Sequence, residues 1–204
     1  MSMEPSLGEH SVEPEQGSGP CAPPEVYALV AYINGELGDF LYALRQEIVP
    51  TCRLRSHVSL LPPRKLAGKP EGAAEQIAAV AGGRPAFAVR LGEICVFPVT
   101  NVIYLDLAAG REELTAMHAE LNGGALAYAE PFAYHPHITL GQELTPEQFE
   151  TGLALSRKRW AEYTGPRSFP VETITFVKNT GNCGWSDLTE TAMLREPVGT
   201  PGVR

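Results

Sequence analysis

Two short stretches of the chain carry residues that could do acid–base chemistry: His57-Val58-Ser59-Leu60 and His137-Ile138-Thr139-Leu140. Each has the form His-x-Ser/Thr-apolar in a β-rich setting. Alternate residues of a strand share a face. His57 and Ser59 therefore point one way, and Val58 and Leu60 the other. His137 and Thr139 likewise share a face, with Ile138 and Leu140 behind them. Each strand offers an imidazole beside a hydroxyl on a rigid support. Imidazole titrates near neutral pH, so one of the pair can be neutral while the other is protonated. One then accepts a proton from an attacking water, and the other gives one to a departing oxygen. The hydroxyls can bond non-bridging phosphate oxygens as charge builds there. This is equipment for cleaving a phosphate ester, and it requires no metal.

The same residues admit plainer readings, because a single His-x-Ser/Thr-apolar match is a weak signal. Both histidines could be buried structural residues. His135 and His137 lie two apart and could ligate a metal, although Pro136 stands between them and no carboxylate partner is obvious. Arg64 could reach a phosphate or be an exposed loop arginine. His10 falls in a polar tail, and His118 flanks a helix face as a solvated or packing residue. A module that binds nucleotides or an RNA end without turnover is a further class. It is separated from an enzyme by testing turnover of a 2′,3′-cyclic nucleotide in chelator.

The elements that must position these residues follow from the apolar pattern. Val26–Ile33 reads as a buried strand, followed by a helix with Leu37, Leu41, Leu44 and Ile48 on one face and Pro50 at its end. The strand His57–Leu61 is expected to stop at Pro62-Pro63. An Ala-rich helix over 71–81 closes on Gly82-Gly83, and Phe87–Phe97 alternates as a strand with a bulge at Gly92. The pattern then recurs: strand Val102–Leu107, helix with Leu114, Met117 and Leu121, and the second histidine strand. Thr145, Pro146 and Gln148 spell a capping box for a helix whose buried stripe is Phe149, Leu153, Trp160 and Tyr163. Val171–Val177 and Trp185–Met193 read as a closing hairpin around Gly181-Asn182-Cys183-Gly184. The offset between the histidines is close to that between the two apolar strands, so two related lobes are expected.

Composition bounds the rest. With 44% hydrophobic and 20% charged residues, a packed core is available. Residues 1–24 and 196–204 lack apolar periodicity and read as flexible tails around one folded unit over 25–195. No run is long and apolar enough to span a bilayer, and no secretory signal is evident, so a cytoplasmic protein without membrane partners is expected. The net charge of −8 disfavours broad grip on long nucleic acid and leaves small or end-bound phosphates open. Cys21, Cys52, Cys95 and Cys183 show no C-x-x-C spacing and read as free thiols.

The stretches HVSLLPPR (57–64) and HPHITLG (135–141) resemble the 2H phosphoesterase superfamily, close to its 2′-5′ RNA ligase and RNA cyclic phosphodiesterase branch. The resemblance covers about residues 25–195. It implies an α+β fold of two pseudo-symmetric lobes around a central cleft, each an antiparallel sheet with covering helices. It implies hydrolysis of a 2′,3′-cyclic phosphate on an RNA end or nucleotide, with reversible 2′-5′ ligation in the branch. A 2′-5′ oligonucleotide or cyclic-dinucleotide phosphodiesterase is the alternative. His57 would be the proton donor and His137 the acceptor, with Ser59, Thr139 and Arg64 binding substrate. No cofactor or metal and no obligate protein partner are implied, and a monomer is expected. Two departures are visible: Ser59 stands where Thr is commoner, and Gln142 where RNA-acting members often carry Arg. The second, with the acidic net charge, weighs against tight binding of a polyanionic RNA end.

Overall fold

A computed structural model of the chain describes residues 25–181 and 184–194. The proposed tails, the two central residues of the last turn, and Cys21 and Cys183 lie outside the described residues. Eight strands and four α-helices follow one another there: β1 (Tyr27–Tyr32), α1 (Gly35–Ile48), β2 (His57–Arg64), α2 (Pro70–Gly82), β3 (Phe87–Val96), β4 (Ile103–Ala109), α3 (Arg111–Leu121), β5 (Ile138–Gly141), α4 (Pro146–Glu162), β6 (Ser168–Val171), β7 (Thr173–Gly181) and β8 (Gly184–Ala192). A short 3-10 turn, Gly124–Leu126, follows α3.

The strands form two four-stranded sheets, ordered β2-β1-β7-β8 and β5-β4-β3-β6. All the pairings are antiparallel. The expected α+β architecture of two lobes is therefore present, but the lobes are not the two halves of the chain. β3, which closes the first repeat in sequence, pairs with β4 in the second sheet, and β7 returns to pair with β1 in the first. Each repeat thus gives its last long strand to the other lobe. The helices cross as well: α1 packs on β5 and α3 packs on β2. One continuous apolar core results, running from Leu29, Leu41 and Leu60 to Leu105, Ile138 and Trp160.

Three local expectations are corrected. β2 runs through Pro62 and Pro63 to Arg64. It is an edge strand, so the missing proline N–H groups break no ladder. The expected single strand Val171–Val177 is broken at Glu172: Val171 pairs with Phe87 in the second sheet, whereas Thr173 pairs with Ala192 in the first. The fully buried line of α4 is Gly152, Ser156 and Trp160, flanked by the partly buried Phe149, Leu153 and Tyr163. The expected bulge at Gly92 is present as a register shift between Leu91 and Ile94. The capping box at Thr145 and Gln148 forms from both sides.

Candidate active site

His57 opens β2, opposite Tyr32 of β1. The approach to it is pinned: the Ile33 amide donates to the Ser56 carbonyl at 2.9 Å, and the buried Ser56 hydroxyl donates to the Gly38 carbonyl at 2.8 Å. The His57 ring meets Tyr32 edge-on, 6.4 Å between centroids. Its Nδ1 lies 2.7 Å from the carbonyl oxygen of Arg55. A carbonyl only accepts, so Nδ1 carries the proton and the neutral ring keeps Nε2 as its free acceptor. Burial pushes the ring down to about 4, against the support of the Arg55 carbonyl; the positive charges of Arg45, His137 and Arg55 add to the depression.

His137 stands just before β5 and repeats the contact, with Nδ1 2.7 Å from the His135 carbonyl. Its ring packs edge-on against Phe97 at 4.9 Å and Tyr104 at 5.3 Å, which stack on each other at 4.1 Å. Burial lowers its ionisation as well; the His135 carbonyl opposes this, His135 adds to the lowering, and Asp106 counters it. Both imidazoles are thus neutral near pH 7.

The sheets bring the motifs together, since β2 and β5 are both edge strands and lie against each other. Tyr134 bridges them: its hydroxyl donates to the Ser59 carbonyl at 2.8 Å. Its ring stacks on His118 at 3.8 Å, and His118 Nδ1 reaches the Leu60 carbonyl at 2.8 Å. His118 is therefore a packing residue. Ser59 and Thr139 are half-buried on the histidine faces of their strands, opposite Val30 and Tyr104.

Arg64 turns into the protein. Its guanidinium is buried and engages Glu130, the Asn122 side chain at 2.8 Å and the carbonyls of Pro62 and Leu126. It is not an exposed loop residue: each of its three guanidinium nitrogens donates to an acceptor of the protein. It anchors the segment before the second motif.

Sequence reasoning misses Arg55, Asp106 and Asp187 around the two histidines. The Arg55 guanidinium lies 3.6 Å over the Tyr32 ring and 3.4 Å from Asp187 of β8, which also accepts from the Tyr32 hydroxyl at 2.7 Å. On the other side His135 Nε2 sits 3.0 Å from Asp106, which also pairs with Arg111. His135 thus has the carboxylate neighbour that was not obvious in sequence. Burial disfavours ionised Asp106, yet the Arg111 hydrogen bond and charge, the Leu107 amide and His135 together hold it below the usual carboxylate range. Among the described residues no group of three or more His, Cys, Asp or Glu side chains could hold a metal ion. Arg55 could have been found from period-two spacing, since it lies two before His57, as His135 lies two before His137. Asp106 and Asp187 gave no such signal.

Next to His137 the cleft opens into a trough of about 380 Å³, lined by the β3–β4 turn, by Tyr128, by residues 130–135 and by Pro62 and Pro63. Cys52 and Cys95 are free thiols, as expected. No helix among the described residues is long and apolar enough to cross a membrane.

Two antiparallel sheets, each with a His-x-Ser/Thr strand on one edge and the two edges together, define the two-lobed 2H phosphoesterase class. A family model described as the 2′-5′ RNA ligase superfamily matches residues 43–182, across both motifs, and the chain belongs to that superfamily. It is 28% identical over 123 residues to a "Putative phosphoesterase" of Bacillus cereus (strain G9842), covering 56% of this chain and 71% of the relative. A protein of the same description from Geobacillus kaustophilus is 26% identical over 132 residues, covering 60% and 72%. Among solved structures, LigT of E. coli in its apo form is similar with a TM-score of 0.57 at 17% identity, over 84% of this chain and 99% of LigT. LigT complexed with 3′-AMP is similar at 0.56, with the same identity and coverage.

Proposed function

We propose that this protein is a metal-independent phosphodiesterase that opens a 2′,3′-cyclic phosphate by two-histidine acid–base catalysis. The observation that carries the reading is the matched Nδ1 contact of His57 and His137, which leaves Nε2 as the acceptor of each neutral ring, on the strand face that also holds Ser59 or Thr139. Water attacks phosphorus, and Nε2 of neutral His137 takes its proton. The bond from phosphorus to one ring oxygen breaks, and protonated His57 gives that oxygen its Nε2 proton. The hydroxyls of Ser59 and Thr139 donate to the non-bridging oxygens, whose charge grows as water adds. The product is a phosphomonoester, and exchange of one proton with solvent resets the pair. A 3′-phosphomonoester, 3′-AMP, is the ligand named for one LigT structure.

An anionic phosphate between the rings favours their charged forms, so substrate itself helps to protonate the donor. The test is hydrolysis of 2′,3′-cyclic nucleotides in excess EDTA. Turnover to a monophosphate that persists in chelator is expected. Loss of activity with rescue by zinc or manganese overturns the reading and transfers the chemistry to His135 and His137 as ligands. Binding without turnover, across cyclic mononucleotides, RNA cyclic ends, 2′-5′ oligoadenylates and cyclic dinucleotides, makes it a binding module instead.

A further inference from the structure

The trough beside His137 has an unusual wall. Val99, Phe132 and Tyr128, which line it, are 79%, 62% and 40% exposed, and they are three of the five large hydrophobic side chains left in solvent among the described residues. Apolar surface kept exposed and gathered in one concavity marks a binding site. Among the described residues that line it none is Lys or Arg, and the one carboxylate, Glu130, is paired with buried Arg64.

We infer that this trough takes one flat aromatic group esterified beside the reacting phosphate, so that the protein acts on monomeric phosphodiesters rather than on the ends of RNA strands. The inference rests on the two-histidine reading above. His137 forms part of the trough, so a phosphate lying at its Nε2 directs a substituent into it. The volume suits a single nucleoside-sized group. A lining of Phe97, Phe132, Tyr128 and four prolines favours a flat ring, as aromatic platforms do for single bases. A longer strand brings a further phosphate with each residue. Phosphate is held by cations, and the lining supplies none, in a chain of net charge −8.

The test compares kcat/KM for adenosine 2′,3′-cyclic phosphate, its base-free 1-O-methylribose counterpart, and a short RNA ending in a 2′,3′-cyclic phosphate. The adenosine compound should exceed the base-free one by about tenfold or more, the scale of one base stacked on an aromatic. The RNA should be no better than the mononucleotide. Phe132→Ala and Val99→Asp should each shrink the adenosine preference by about tenfold, whereas a general defect lowers both small substrates alike. Equal rates for base-bearing and base-free substrates in the unmodified protein overturn the inference, as does an RNA turned over tenfold faster than the mononucleotide. If none of the three is hydrolysed, the two-histidine reading fails on its own, and the trough is then judged by affinity. Tighter binding of adenosine 3′-phosphate than of ribose 3-phosphate, lost in Phe132→Ala, supports the subsite. Equal affinities, or no binding of either, refute it.

Discussion

His57 and His137 are held by the same contact: each directs Nδ1 to the carbonyl of the residue two positions earlier, at 2.7 Å in both. The residues that supply the carbonyls differ. Arg55 is a permanent cation beside Asp187, whereas His135 is titratable and sits on Asp106. Two rings with one tautomer are thereby placed in different fields.

In the proposed mechanism each ring carries one of the two proton transfers. His57→Ala and His137→Ala should each lower turnover of a 2′,3′-cyclic nucleotide by at least about 10²-fold. Both rings are half-buried at strand starts outside the main core, so cooperative melting should persist. Full activity in either variant removes that histidine from the mechanism.

The pH dependence follows from the neutral state of both rings. In the free protein His57 is held down to about 4, and burial lowers His137 as well. The singly protonated pair therefore exists only in acid. kcat/KM should form a bell with its maximum below pH 6.5 and fall toward neutrality, each limb belonging to the coupled pair. The alkaline limb of kcat should lie at higher pH, because bound phosphate raises both rings. A kcat/KM that is flat from pH 5 to 8 contradicts this. The same shift acts on stability. The unfolded chain binds more protons than the fold between the ordinary histidine value of 6.5 and about 4. Stability is therefore full above 6.5 and declines as pH falls through that window, which urea titrations at several pH values would register.

In the proposed mechanism Ser59 and Thr139 offer hydroxyls to the transition state, not nucleophiles. Ser59→Ala and Thr139→Val should slow turnover by roughly 10- to 10³-fold, the scale of one lost oxyanion donor. Ser59→Thr keeps the hydroxyl in a strand that accepts β-branching, and should be nearly silent. A phosphoserine or phosphothreonine trapped at either position in quenched reactions contradicts direct attack by water.

Asp106 tests the asymmetry of the two fields. Its charge raises the ionisation of His137 while His135 lowers it, and Arg111 pairs with the same carboxylate. Asp106→Asn removes the anion and leaves the cations, so His137 should titrate at lower pH in a proton NMR titration. His57, across the cleft beside Arg55 and Arg45, should move much less. Equal movement of both rings, or none, contradicts the assigned role.

Much of this was legible in the sequence. Period-two alternation placed each histidine and hydroxyl on one strand face, and the capping box at Thr145 announced its helix. These are local properties: a side chain's direction depends on its own φ/ψ and on its neighbours. What pairs with what is not local. The repeat in the chain could not reveal that β3 and β7 exchange lobes, because an amphipathic strand carries the same pattern in either sheet. For the same reason Val171–Val177 read as one strand when it serves two sheets. The fate of Arg64 was also decided by the fold: Glu130 lies far along the chain, and only packing of the second motif against β2 turns the guanidinium inward. The sequence by itself determined which side chains could do the chemistry. Only the tertiary structure decided which of them meet, because long-range strand pairing and burial set the distances and fields at the cleft.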